Sequence, residues 1–504
     1  MATRQGDRGT VQKVKLPFFG STSNRGTDPD KDQRFVNCFP ESRKVDQTEI
    51  TKAWLVKRPG ITFYKQFDPD AYEARGIIEF NDKLYAAYGS EIFEDGPIGG
   101  GGVPASVISM TTSTGPVGFR LGNSSVIGDY LFICDGVEGW IIETTGAVTQ
   151  ITDLDFPTPH SPTPVFLDGY IVLAKGSDIF NCVVDDPLSW DATNFVSAES
   201  FPDAILALAR QNNQIVAFGS ESTEFFYNAA NASGSPFNRN ESALIQVGTA
   251  APYSITQTER YCTFIGSSFS GGHAFWIIEG FTPKRVSDEH IERILNSETN
   301  TVGIRGYCVR ISGHMFYIIN LPTADRTLVY DPDEKLWHEW ATAESFGVFG
   351  NRFVVDYAND GDNGYFYGQV SNNGNVCYFD VTAGIDSPSF DTGPSPELTS
   401  IDVLIRTNRI DMDTTYRKRL HSLRIFLDIT SSSDQSTLSI SMSDDDYINL
   451  YGGTNYLVYT DLDTPPVLYR LGEFRRRSFE FIHYGQSVGT RYEAMELCYT
   501  EGIS

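Results

Sequence analysis

The sequence predicts a mainly β protein: a β-propeller of six or seven blades, an additional C-terminal β-sandwich-like domain and an irregular N-terminal segment. Three observations carry that expectation. "YAAYGSEIF" around residue 88, "VLAKGSDIF" ending at Phe180 and "VAFGSESTEFF" ending at Phe226 repeat one pattern, an apolar run, Gly-Ser and an acidic-aromatic tail. Polar turns recur near Asp82, Asp129, Asp168, Asn213, Gly272, Gly313 and Asn363, separated by 47, 39, 45, 59, 41 and 50 residues. A period of about 40 to 50 residues with several strands per repeat marks a propeller blade. Composition agrees, since 45 Gly, 25 Tyr and 13% aromatic residues favour many short strands joined by tight turns.

Residues 1–70 are turn-rich and are expected to wrap a neighbour or complete another unit. Residues 71–385 hold the hairpins. Gly-Ser at each corner suits a type II′ turn, whose first central residue needs the positive φ that glycine tolerates. "KLYAAY" and "QIVAFG" are apolar on both faces, as expected of blades stacked radially and not of a sheet with one wet side. No WD dipeptide recurs, so the blades are divergent. "SDEHIERILN" predicts a short helix with Ser287 as N-cap and Ile291, Ile294 and Leu295 on one face. Pro, Gly and Ser cluster in "GIDSPSFDTGPSPELTS", which places a linker at 386–400. Residues 401–504 then run through "IDVLIRTNRI", "RLHSLRIFLDI", "TLSISMS", "RRRSFEFIHY" and "YEAMELCYT", a strand series expected to form the sandwich.

The 65 acidic and 39 basic side chains leave a formal charge of −26. That balance opposes a DNA clamp or attachment to anionic membranes. Seven scattered cysteines without a C-x-x-C pair read as reduced, mostly buried thiols and not as a disulfide framework or zinc site. The N-terminal "MATRQGDRGTVQKVK" lacks an apolar signal core, and no apolar run is long enough to span a bilayer, so neither a cleaved signal nor membrane insertion is expected.

Compact catalytic motifs are missing: there is no phosphate loop, no G-x-S-x-G elbow and no H-E-x-x-H pair. "NDGDNGYFY" near Asp360 fails the ligand order of a calcium loop. "SDDDY" at Asp444 to Asp446 reads as a solvated loop, and the seven histidines show no ligand spacing. No catalytic, cofactor or metal residue is therefore assigned. Two basic groups stand out in the acidic chain: Arg417, Lys418 and Arg419 in "YRKRLH", and Arg475, Arg476 and Arg477 in "FRRRSF". They are the candidate interface, either one basic face offset by nearby acids or a docking surface for an acidic partner.

"DPLSWDATNFVSAESFPDAILALARQNNQIVAFGSESTEFFYN", "SPFNRNESALIQVGTAAPYSI" and "GFTPKRVSDEHIERIL" together resemble the packaged-DNA stabilisation, or tail nozzle, proteins of short-tailed phages. "RFVNCFPE", "VKRPGI" and "RRRSFEFIHYGQSVGTRYEAMELCYTEG" fit the same family, so the resemblance covers most of the chain. It implies a structural, non-enzymatic virion protein, assembled in the host cytoplasm as a homohexamer below the portal and its adaptor ring. Such a ring extends the exit channel, retains packaged DNA, and carries tail fibres or tailspikes and a needle or plug. Double-stranded DNA would pass through the lumen without sequence recognition. Two other classes stay open on the residues alone: a propeller glycan hydrolase or lyase with paired carboxylates at the channel, and a carbohydrate- or receptor-binding module.

Overall fold

The computed structural model describes residues 10–18, 33–42, 53–70, 72–198, 201, 203–258, 260–267, 272–342, 353, 355–360, 364–371, 373–386, 399–428, 436–458, 465–485 and 490–502. Seven antiparallel blades follow one another, over 74–109, 118–150, 165–197, 207–245, 248–285, 305–340 and 355–380. Six are separate sheets, and blade 6 is the first part of a nine-stranded sheet. Each innermost strand lies beside the innermost strand of the next blade, and Val355–Asp360 of blade 7 lies against Ala74–Phe80 of blade 1, which closes the ring. In blade 5 the inner position is shared by two short strands, Gly248–Thr249 and Thr256–Gln257.

Burial on both strand faces has a direct cause in the packing. Seven apolar clusters sit between consecutive blades, and a strand feeds its neighbours on alternate sides. In "KLYAAY", Tyr85 and Ala87 pack toward blade 2 while Leu84, Ala86 and Tyr88 pack toward blade 7. In "QIVAFG", Ile215 and Ala217 meet blade 3, and Val216 and Phe218 meet blade 5. Period-2 alternation thus points to two dry interfaces, which is why both sets must be apolar.

The repeated Gly-Ser hairpin is the second turn of a blade. Gly89 and Gly176 have φ of +50° and +65°, and the following serines do not share the positive φ, as a II′ turn requires. The third copy departs from the expectation. Gly219 has no positive φ, and its N–H meets the Ser222 carbonyl at 2.8 Å across a four-residue connection. The first turns of blades 1, 3 and 6 use Asn81-Asp82, Asp168-Gly169 and Ser312-Gly313, with positive φ at both central positions. The turn expected near Gly272 as a blade's leading turn instead joins the middle strands Cys262–Ser267 and His273–Glu279 of blade 5. That blade's leading connection runs instead between Gln257 and Cys262, which accounts for the irregular spacing of 59 and 41 residues.

The helix spans Glu289–Ser297, and Ile291, Ile294 and Leu295 are buried. Its N-cap is Asp288, whose carboxylate accepts the Ile291 N–H at 2.9 Å. Ser287, the residue expected there, instead accepts the Phe275 N–H and donates to Glu292, which ties the helix to blade 5.

The described residues of the N-terminal segment contribute five strands, each belonging to a sheet it shares with later parts of the chain. Gly60–Gln66 is the outer strand of blade 7. Val11–Leu16 and Ala53–Lys57 pair with successive parts of one edge of the C-terminal strand Arg491–Glu501, whose other edge takes Lys418–Asp428, and Cys38–Ser42 pairs with Ala53–Lys57. Arg34–Val36 lies between the outer strand of blade 6, Leu336–Trp340, and Val403–Arg406. The nine-stranded sheet therefore runs without a break from blade 6 into the C-terminal unit. Facing it is the sheet built on Lys418–Asp428 and Arg491–Glu501, and the two enclose a core containing Phe35, Leu55, Ile405, Leu423, Phe481 and Leu497. The linker expectation falls mostly on 387–398, outside the described residues.

Candidate assembly interface

The two basic groups lie together because Lys418 and Arg419 pair with Phe474 and Glu473 across adjacent strands. Within the cluster the side chains divide. Lys418 is fully buried, and its ammonium donates to the carbonyls of Thr414 at 2.6 Å and Arg475 at 2.9 Å. Burial lowers its pKa, opposed by Asp411 and Glu501 nearby. Arg477 is 2% exposed, forks onto both oxygens of Asp444 at 2.8 and 3.0 Å, and lies over the Phe474 ring. These two cations hold the sandwich edge together and do not face a partner. Arg417, Arg419, Arg475 and Arg476 are exposed. Arg417 stands 3.6 Å from Glu473 with both side chains largely in water, a pair worth little. Arg475 donates to the Thr415 carbonyl, while the guanidiniums of Arg419 and Arg476 bond to no described residue. Four guanidiniums are thus exposed along this edge of an acidic chain.

The acidic run beside it is not simply solvated. Asp444 holds Arg477, Asp446 pairs with Arg409, and Asp445 accepts the Asn449 backbone and side-chain amides. Among the described residues no group of three or more His, Cys, Asp or Glu is placed to hold a metal ion. None of the seven thiols forms a disulfide, five of them are buried, and burial pushes Cys182, Cys262 and Cys308 up to about 12. They are poor nucleophiles at neutral pH. Burial also depresses His338 and His483 to about 3, so both are neutral packing groups in the folded chain. Of the aromatic tail in blade 4, Phe225 and Phe226 are core, whereas Tyr227 is 41% exposed.

A second set of residues was not singled out from the sequence. Arg58 sits where the chain passes from sandwich to propeller, and Asp386 where it leaves blade 7. Both are buried, and they form a two-point ion pair at 2.9 and 2.6 Å. Arg58 also donates to Asn37 and to the Ala341 carbonyl, and Asp386 accepts the Ile61 N–H. Lys57 donates to the carbonyls of Gly384 and Gly485, one on each side of the junction. Arg34 forks onto Glu339 at 2.8 Å for both contacts, crossing from the sandwich to blade 6. A signal existed in "VKRPGI", where two cations precede Pro-Gly inside an otherwise apolar stretch, but it did not name their partners more than 300 residues away.

A family model described as "Bacteriophage P22 Gp10, beta-propeller" matches residues 16–354. The tail hub protein gp10 of Salmonella phage P22 is 24% identical over 322 residues, 60% of this chain and 64% of that protein. The chain thus spans just under two thirds of that relative. Among solved structures, a streptogramin B lyase gives a TM-score of 0.42 at 10% identity, covering 64% of this chain and 98% of the lyase. The extracellular domain of the putative hybrid two-component system BT4673 from B. thetaiotaomicron gives 0.43 at 9% identity, covering 69% of this chain and 46% of that chain. Likenesses at that level carry no functional argument.

Proposed function

The chain belongs to the phage stabilisation family described by P22 Gp10, a β-propeller family, and from that membership we propose that it is a structural tail-hub protein of a short-tailed phage virion. Six copies form a ring below the adaptor, extend the DNA exit channel and carry the tail appendages; it has no catalytic turnover. The observation that supports this best is mechanical. The nine-stranded sheet and the buried Arg58–Asp386 pair join propeller and sandwich into one body, so a load on one unit passes to the other through backbone hydrogen bonds.

The charge supports a conduit. Each copy carries a formal −26, and a net acidic wall lowers the affinity of duplex phosphates for the channel. DNA is retained by the closed ring and its plug, not by adhesion. The four exposed arginines of the sandwich edge are the docking surface, matched to an acidic face of a neighbouring copy or tail component. Imaging of the purified protein and of virions tests the reading. The expected result is a sixfold ring at the tail vertex, whereas a strictly monomeric chain absent from particles would overturn it.

A further inference from the structure

Between blades 4 and 5, on the face that carries the leading turns, a cleft of about 640 Å³ opens. No charged side chain is among its described lining residues, although 21% of the chain is charged. The neighbouring cleft, which shares Asn212, is rimmed by Arg210, Arg260 and Arg310, so the neutrality is local. Carboxamides supply its polarity: Gln211, Asn212, Asn213, Gln214, Asn228 and Asn240. Three rings, Phe225, Tyr227 and Phe281, supply its apolar surface.

The state of these groups points to a ligand. Gln211 is 3% exposed, and its amide nitrogen is held by the Ile278 carbonyl at 3.0 Å, yet its Oε1 has no hydrogen-bond partner among the described residues. The Oε1 of Gln214 is buried and unpartnered in the same way. A buried acceptor without a donor in the chain takes one from water or from a ligand admitted at the cleft wall that Gln211 and Gln214 line. Asn212 and Asn213 are exposed, and neither side-chain amide bonds to a described residue. The Asn240 oxygen is taken by Ser242, which leaves its NH₂ to donate. Tyr227 and Phe281 are 41% and 48% exposed, and Phe281 is braced edge-on against the buried Phe225 at 5.1 Å between centroids. A half-exposed ring held in place, as Phe281 is, offers a flat apolar face at small ordering cost.

Donor-and-acceptor amides match hydroxyl groups, which also donate and accept. Rings match the C–H face of a pyranose, and an uncharged wall matches a ligand without charge. We propose that this cleft is a binding site for a neutral saccharide, with a hexose unit stacked on Tyr227 or Phe281 and its hydroxyls met by the Gln and Asn side chains. A charged glycan or an acidic peptide would instead favour the arginine-rimmed cleft beside it. The site is separate from the sandwich edge, so it stands or falls independently of the tail-hub assignment.

The test is saturation-transfer NMR and calorimetry on the full chain with neutral trisaccharides of glucose, mannose and galactose, at low and high salt. Binding to at least one, insensitive to salt and weakened about tenfold or more by Tyr227→Ala or Phe281→Ala, is expected. Arg260→Ala should leave it unchanged. Both ring positions are half-exposed, so the variants should fold, and matching thermal melts with the parent chain check that. Binding to none of the three, binding only to uronate oligosaccharides with loss in salt, or binding untouched in both ring variants would each overturn the proposal.

Discussion

Blades 2 to 4 and the junction of blades 6 and 7 with the sandwich are built from the same strand pairings, but they are assembled differently. Each of blades 2 to 4 is cut from one stretch of about 30 to 40 residues, over 118–150, 165–197 and 207–245, and every partner is the next strand along. At the junction, Ile61 pairs with Phe379, Phe35 with Ile405 and Val11 with Thr500. Local hairpins need little beyond apolar alternation and a suitable turn. Closing loops of several hundred residues costs more chain entropy before any contact is made. The junction is also where the buried cations gather, with Arg58, Lys57 and Arg34 all bonding across it. A wrong pairing of these distant segments would leave the same buried cations unpaired, a penalty that apolar burial alone does not impose.

The largest test of that contrast removes the ion pair. Arg58→Ala strands the buried Asp386 carboxylate, and Asp386→Ala strands the guanidinium, so either change is expected to cost about 3–5 kcal/mol. Hydrogen exchange should show protection falling first in Gly60–Gln66 and Val403–Arg406, with blades 2 to 4 little changed. Equal loss in all blades would break the comparison.

A smaller effect comes from pH. His338 lies in blade 6 and His483 in the sandwich, both held near a pKa of about 3 by burial. Below the unfolded value of about 6.5, the unfolded chain binds protons that these folded rings refuse, so stability falls as pH falls, by ~2 kcal/mol each near pH 5. His314 acts in the opposite sense. Its hydrogen bond to Asp331 at 2.8 Å raises its pKa, so its contribution is full below about 6.5 and is lost as pH rises through the folded value. Denaturant midpoints at neutral pH and near pH 5 measure the balance. His338→Phe should flatten the acid loss, because both ring nitrogens lack partners among the described residues and Phe39, Phe316 and Trp340 surround the ring.

The smallest effect on stability is expected at the exposed edge. Arg419→Ala with Arg476→Ala should change the unfolding free energy by less than about 0.5 kcal/mol, since neither side chain bonds to a described residue. Assembly should suffer instead, read as a loss of ring or particle incorporation. Lys418→Ala provides the contrast, because it should destabilise the chain by removing a cation that satisfies two carbonyls.

Legibility followed the same divide. The hairpins around Gly89 and Gly176 were readable because a glycine with positive φ between two apolar runs is a local event. Gly219 shows the limit, since an identical dipeptide took another turn once the connection grew to Ser222. Ser287 and Asp288 are neighbours with equal claims as caps, and packing against blade 5 decided between them. In the basic clusters charge was visible, but burial was not. Lys418 and Arg477 look like Arg419 and Arg476 in sequence, and only the fold turned two inward.

The sequence by itself determined the unit of construction: short two-faced strands, their tight turns, the repeat of about 40 to 50 residues and the acidic balance. These properties depend on residues close together in the chain. Tertiary structure alone decided that blade 7 takes its last strand from residues 60–66, that both chain ends build the sandwich, and that Arg58 meets Asp386. The physical reason is that a strand's pattern specifies how its faces are buried, whereas its hydrogen-bonding edges are alike in every sequence. Which edge it joins depends on closure of the whole ring.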